Sequence, residues 1–510
     1  MSIRTLLLCL TLGLTAAPAP HARAPADEPC DFPGMVGGRV EPGARAVVVP
    51  RKKKAWEAAF GGEEAARPHV AARLAGWPER LLVERAAPPA DDPTFLARLA
   101  RDTWRGLDAF TDREHALPID NVRLGPSADR TGARVGDYTN VTTIGLRLIA
   151  TVAAYELYLL TTREAVERLQ HLLDTLGQLE TYAGFFFNYY DTTSLERTSN
   201  LLSFVDSSWL TAGLMVVRQA FPELHAAATR LIEQGDYRFF YDGKSGRMVH
   251  GYWVQLGARS RYHYGVLYAE SRLGSVIAIG KGDVPEEHWF RMVRTFPAAC
   301  AWQTQTPRAR RRKAVRGHDL FGGYYEWRGV RYVPSWGGSM FEALMPTLVL
   351  DEAAHAPRSL GANDVAHAEV QRRFAMEELG WPVWGFSPSA VPARNGYGEH
   401  GVKMLGSLGY GTGPVTPHAA ALALAVTPAA ATGNLRELVR RYDLYGDFGL
   451  YDAVQPRTGA VARVYLALDQ SMTLVALANH LKDHCIQKRF AADPIAQRAL
   501  PVIAAEDFFE

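Results

Sequence analysis

Five carboxylates in this chain sit in aromatic, glycine-rich strings rather than on amphipathic stripes. Asp206 lies in Phe204-Val205-Asp206-Ser207-Ser208-Trp209, and Glu270 in Tyr268-Ala269-Glu270-Ser271-Arg272. Glu342 closes Ser335-Trp336-Gly337-Gly338-Ser339-Met340-Phe341-Glu342, Glu399 lies in Gly396-Tyr397-Gly398-Glu399-His400-Gly401, and Asp469 in Leu468-Asp469-Gln470-Ser471. Carboxyl groups among rings suit sugar chemistry. Cleaving a glycosidic bond takes one carboxylic acid to protonate the leaving oxygen and one carboxylate to act as base or nucleophile. Sugar rings also offer apolar C–H faces to aromatic side chains.

Each acid has a plain structural use as well. Asp206 and Asp469 could cap helices, Glu270 could pair with Arg272 or a neighbour, and Glu399 could be a solvated loop residue. Glu270 stands out because it opens the apolar run from Leu273 to Gly280, where a carboxylate needs a partner or a task. Glu342 is similar, followed by Ala343-Leu344-Met345-Pro346. The reading is Glu270 as proton donor, its pKa raised by apolar surroundings. Glu342 and Glu399 are the leading candidates for base or nucleophile, with Asp206 behind them as a sugar-binding or water-orienting group. Trp209, Trp336, Trp384 and Tyr397 are expected to line the cleft, and Tyr268, Arg272, His418 and Asp469 complete the expected substrate contacts. Arg272 would lower the Glu270 pKa if the two paired directly, so it is expected to face another acid.

Competing chemistries find little support. Ser271, Ser339 and Ser471 lie in no G-x-S-x-G context, and Gly274 to Gly282 is too helical and apolar for a phosphate loop. His263, His288, His400 and His418 are isolated, with no H-E-x-x-H pair, and no C-x-x-C occurs; no metal and no cofactor are expected. A formal net charge of +2 selects no partner. The basic runs Arg51-Lys52-Lys53-Lys54 and Arg308 to Arg316 lack interleaved aromatics and read as solvated loops, not nucleic-acid patches. No run of 18 or more apolar residues is present, so no membrane span is expected. Residues 1–24 read as an export signal: Arg4 as the basic start, Leu6 to Ala17 as the apolar segment, and Ala22-Arg23-Ala24 as the cleavage site. The expected location is periplasmic or secreted. Of the four cysteines, Cys9 would leave with the signal. Cys30, Cys300 and Cys485 then permit one long-range disulfide in an oxidising compartment, of undetermined pairing.

The elements that must position these residues are mostly helical. Ala165, Val166, Leu169, Leu172, Leu173, Leu176 and Leu179 recur at the three-and-four spacing of one helix face. Similar stripes occupy roughly 142–160, 207–220, 267–280, 338–350, 364–379, 418–426, 434–442 and 470–482. Strand-like alternation is scarce, apart from pieces such as Phe239-Phe240-Tyr241 and Tyr324-Tyr325-Glu326-Trp327. The connecting loops are rich in Gly, Pro, Trp and Tyr. Such loops are wasteful on a helical body unless they line something. The fold class is all-α, and the pattern leaves open a toroid of paired helices or an irregular helical domain. Residues 25–91 read as an arm or helical extension, 92–490 as the main domain and 491–510 as a C-terminal tail.

A family resemblance narrows this. Asp102-Thr103-Trp104-Arg105, Leu117-Pro118-Ile119-Asp120-Asn121 and Tyr138-Thr139-Asn140-Val141-Thr142-Thr143-Ile144-Gly145-Leu146 resemble the opening of the glycoamylase-like domain family. Tyr268 to Leu273, Ala278 to Pro285, His288-Trp289-Phe290, Ser335 to Glu342, Trp384-Gly385-Phe386-Ser387-Pro388-Ser389 and Thr416-Pro417-His418-Ala419 continue the likeness in order. It covers about residues 92 to 485. The family includes secreted endo-β-1,2-glucanases and the glucan-cleaving and cyclising domain of cyclic β-1,2-glucan synthases. The resemblance implies an (α/α)6 toroid of about twelve helices with the aromatic loops on one face. It also implies a glycoside hydrolase acting on a β-linked glucan, β-1,2-glucan first, without cofactor, and strengthens Glu270 as the acid. Alternatives are a transglycosylase, a hydrolase of another exopolysaccharide, or a non-catalytic polysaccharide-binding or assembly protein on the same fold. The synthase domains tend to carry a glutamate where this chain has Pro388. That departure weighs against synthase-type transglycosylation and moves attention to Glu399.

Overall fold

The computed structural model describes residues 55–76, 87–125, 133–392 and 396–510. The expected export signal, Cys9, Cys30 and the Arg51–Lys54 run lie outside them. Twelve helices organise the body: α1 Asp92–Ala109, α2 Val141–Glu156, α3 Thr162–Leu176, α4 Phe204–Ala220, α5 His225–Gln234, α6 Arg272–Lys281, α7 Met340–Leu344, α8 Leu360–Arg373, α9 Pro417–Leu422, α10 Pro428–Arg441, α11 Ala467–Leu481 and α12 Pro494–Ile503.

Hydropathy sorts them into two shells. α2, α4 and α11 are apolar nearly all round and buried along almost their whole length, as a helix surrounded by others must be. α1, α3 and α5 carry a single apolar stripe and bury only that face. The inner helices pack in cyclic order: α2 on α4, α4 on α6, α7 on α9, α9 on α11, and α11 back on α2. The Arg272 guanidinium closes the remaining step, donating from α6 to the Glu342 and Ala343 carbonyls of α7 at 3.0 and 2.6 Å. An outer helix backs each inner one: α3 on α2, α5 on α4, α12 on α6, α8 on α7, α10 on α9 and α1 on α11. The tightest crossing, α2 on α4, needs glycine on both sides. A Cβ on Gly145 would lie 2.4 Å from the Trp209 carbonyl oxygen, and one on Gly213 would lie 2.4 Å from that of Gly145.

Three expectations need correction. The chain is mostly helical rather than all-α, because the loops between helices pair into short antiparallel strands. The longest pairing is a meander of β1 Ala309–Val315, β2 His318–Trp327 and β3 Val330–Tyr332. The basic run expected to be a solvated loop forms β1. Its aromatic partner is supplied across the ladder, with the Arg310 guanidinium 3.5 Å from the centre of the Phe321 ring, so the interleaving is invisible along the sequence. The segment expected as a tail, 491–510, is built into the body. α12 fills the outer position behind α6, where a Cβ on Gly280 would meet the Ile495 carbonyl at 2.0 Å. Asp493 pairs with Arg218 at 2.5 Å, and Glu506 with Arg294 at 2.7 Å with both side chains buried.

Before α1, the helix Glu63–Ala72 reaches the body through Arg73, which pairs with Asp112 at 2.7 Å. Cys300 is disulfide-bonded, whereas Cys485 is buried as a free thiol.

Candidate active site

The N-terminal ends of the inner helices α2, α4, α6, α7 and α11 reach one cleft, and α2, α4 and α7 are begun by polar capping residues. Asn140 caps α2 by accepting from the Thr142 amide at 2.7 Å. Ser203 caps α4 by accepting from the Asp206 amide, and Ser339 and Glu342 form a reciprocal capping box on α7. Residues from these ends line two adjoining cavities of about 150 and 370 Å³. Glu270 and Phe341 belong to both. The smaller cavity adds Trp336, Glu342, Glu399 and Tyr410; the larger adds Asp120, Arg123, Tyr189, Asp206, Trp209 and Tyr397.

Glu270 occupies the turn immediately before α6, recessed at the junction of the two cavities. Burial, then the negative charge of Glu342 and, more weakly, of Asp206, push its carboxyl up to about 8. Both effects disfavour a second anion in a poorly hydrated site, so the proton stays on Glu270 near neutral pH. Arg272 opposes this only weakly because it is turned away. Its guanidinium makes a bidentate pair with Glu352, 2.7 Å on each arm, with both side chains fully buried.

Glu342 is held as an acceptor. Ser335 Oγ donates to it at 2.8 Å, the Gly337 amide at 3.0 Å and the Ser339 amide at 3.2 Å. Burial raises its pKa, and these donors offset only part of that rise. Among the described residues Glu270 has no comparable set of donors, so in this coupled pair Glu270 is the protonated member and Glu342 the anion. Tyr410 stands where Glu342, Glu399 and Glu270 all act on it, and burial with these three charges keeps its phenol protonated. Gly337 makes room for that ring, since a Cβ there would fall 2.0 Å from it. Glu399 is exposed on the loop that completes the rim.

The sequence-selected residues divide between cleft and core. Glu270, Glu342, Glu399 and Trp336 meet in the smaller cavity, and Asp206, Trp209 and Tyr397 line the larger one. Asp206 accepts from Thr142 Oγ1 at 2.7 Å, and Tyr397 is half exposed. Tyr268, Arg272 and Trp384 are corrections. The Tyr268 hydroxyl donates to Asp364 at 2.5 Å and the ring lies under Arg272, a buried lock between helices. Trp384 is a core side chain whose backbone is held at both ends by Asn434. His418 and Asp469 are buried 3.3 Å apart and line neither cavity. Sequence reasoning missed Tyr410, Asp120, Arg123 and Tyr189. Asp120 lies inside a string that carries the family resemblance, and Tyr410 inside Gly409-Tyr410-Gly411-Thr412-Gly413; the others carry no local signal.

A helical body that brings carboxyl groups and rings to one end of its inner helices has the parts that glycosidic-bond chemistry requires. Residues 263–494 match the family model Glycoamylase, described as "Putative glucoamylase", and the resemblance read from the sequence holds. The chain is 30% identical over 316 residues to a cyclic β-(1,2)-glucan synthase of Rhizobium meliloti, covering 57% of this chain and 10% of that protein. It is 21% identical over 391 residues to an exo β-1,2-glucooligosaccharide sophorohydrolase of Parabacteroides distasonis, covering 70% of this chain and 52% of that one. This chain thus spans from a tenth to about half the length of these curated relatives. Its fold is shared with the endo-β-1,2-glucanase of Chitinophaga pinensis solved with sophorotriose and glucose, at a TM-score of 0.63, 16% identity, and coverage of 82% of this chain and 99% of that one.

Proposed function

We propose that this chain is an exported glycoside hydrolase that cleaves β-1,2-glucan on an (α/α)6 toroid. The observation that carries the reading is Glu270, a carboxylic acid protonated near neutral pH at the junction of two cavities that both hold further carboxylates. The cyclic order of six inner helices, each backed by an outer one, supports the toroid. The linkage comes from the relatives, a β-(1,2)-glucan synthase and a β-1,2-glucooligosaccharide sophorohydrolase. Export is supported by the disulfide at Cys300, a bond that persists in oxidising compartments.

In this mechanism the glucan lies along both cavities with the scissile bond over Glu270. The Glu270 carboxyl gives its proton to the glycosidic oxygen as the bond to the anomeric carbon breaks. Glu399, on the solvent side, takes a proton from the attacking water, whose oxygen bonds to the anomeric carbon. Glu342 is the fixed anion that keeps the proton on Glu270. Tyr410 and Trp336 wall one side of the bond, and Asp206 and Tyr397 the other. The test is reducing-end release from purified β-1,2-, β-1,3-, β-1,4- and β-1,6-glucans. Cleavage confined to the β-1,2 polymer is expected. Binding of a glucan without release of ends would mark a non-catalytic polysaccharide-binding protein.

A further inference from the structure

We propose that His418, Asp452 and Asp469 bind one divalent transition-metal ion, zinc being the best fit, in a buried site next to the cleft. The three residues come from separate elements: His418 from the first turn of α9, Asp469 from the first turn of α11, and Asp452 from the stretch between Leu450 and Ala453. Each offers one ligand atom, and these atoms all lie within 4.8 Å of one another. All three residues are 2% exposed. No H-E-x-x-H spacing marks the site, because the ring of helices, not a single helix, brings the ligands together.

Four observations point to a cation. First, neither ring nitrogen of His418 has a hydrogen-bond partner among the described protein atoms, and apart from the Asp452 carboxyl, within reach of Asp469, no described group satisfies the Asp469 oxygens or Asp452 Oδ1. Orphaned polar atoms this deeply buried are costly. Second, His418 Nδ1 and Asp469 Oδ2 stand 3.3 Å apart without the alignment of a hydrogen bond. Tetrahedral zinc, with bonds of roughly 2.0–2.1 Å, separates neighbouring ligand atoms by about 3.3 Å. Third, two carboxylates share the pocket, yet among the described residues no Arg or Lys makes an ion pair with either of them. Arg123 acts on Asp452 only at longer range. A dication would neutralise the pair. Fourth, the hydroxyls of Ser389 and Thr416, next in the chain to the Ala390 and His418 regions, are fully buried and likewise unpartnered. The Ala390 amide already orients Asp452 by donating to its Oδ2 at 2.6 Å, which leaves Oδ1 free to bind. One imidazole and two carboxylates suit zinc or manganese; calcium and magnesium prefer all-oxygen sets. Asp469 and Asp452 also act electrostatically on the Tyr397 hydroxyl, which sets the ion beside the cleft wall. It would tie the starts of α9 and α11 together there.

The test is elemental analysis of the tag-free full chain by mass spectrometry, joined to thermal melting. About one zinc or manganese per chain is expected, with a melting temperature that falls by several degrees on chelation. Zinc should restore it and calcium should not. His418→Ala should purify with little metal while keeping its helical circular dichroism. Should that variant fail to fold, chelation and re-addition on the unmodified chain decide alone. Under about 0.1 metal per chain after incubation with zinc and desalting, with melting unmoved by chelator, would overturn the site and leave the two carboxylates sharing a proton. Equal metal in a folded His418→Ala variant would overturn it too.

Discussion

At the residue scale, Glu270 differs from the other carboxylates in being recessed, beside an anion, and denied its nearest guanidinium. Its pKa of about 8 gives the pH dependence a sign. The acid form works below that value, so kcat/KM should fall on the alkaline side with an apparent pKa near 8, and Glu270→Gln should abolish that limb. The same shift bears on stability. A carboxyl whose folded pKa is raised above its unfolded value favours the folded state least once pH has climbed from the unfolded pKa through about 8. Glutamine cannot ionise, so the Glu270→Gln variant should melt no lower than the parent at pH 8, and a large drop in melting temperature there would show a structural role instead. Trp336 lines the smaller cavity and packs at a tilt near Trp302, ring centres 5.8 Å apart. Trp336→Ala should raise KM by an amount worth on the order of 1 kcal/mol, with little loss of melting temperature. Trp384→Ala should do the reverse, destabilising by about 3–5 kcal/mol as a core aromatic does.

At the scale of elements, the site was legible where chemistry and helix starts coincide. Asp206, Glu342 and Asp469 each fall in the first turn of an inner helix, and the strings that begin those helices are the ones that looked chemical in sequence. What could not be read was the third dimension. Tyr268 and Arg272 flank Glu270 two positions away on either side, yet the turn before α6 sends them into the core, to Asp364 and Glu352. Those acids lie about 80 to 96 residues away in sequence and carry no motif. Glu352→Gln, which strands half of a buried ion pair, should cost about 3–5 kcal/mol in chemical denaturation. A loss below about 1 kcal/mol would mean Arg272 finds enough support in its three carbonyl acceptors.

At the scale of the whole molecule, the outer shell is completed only when the chain end returns. α12 occupies the outer place behind α6, and Glu506 neutralises Arg294 inside the body. The helical stripes revealed the six inner helices singly but not the outer α1, α5 and α12, and the contact that ties the chain end to the body spans 212 residues between Arg294 and Glu506, beyond any local pattern. A chain ending at residue 490 should therefore be insoluble or fail to melt cooperatively; a folded, active truncation would contradict that role. The central claim is the acid at the junction of the cavities. It is tested most directly by initial rates of reducing-end release from β-1,2-glucan at neutral pH, parent against Glu270→Gln. The expected result is a parent that cleaves and a variant that still binds glucan but turns over ~10²–10⁴-fold more slowly. A glutamine variant as fast as the parent would contradict the account and move the proton donor to another carboxyl.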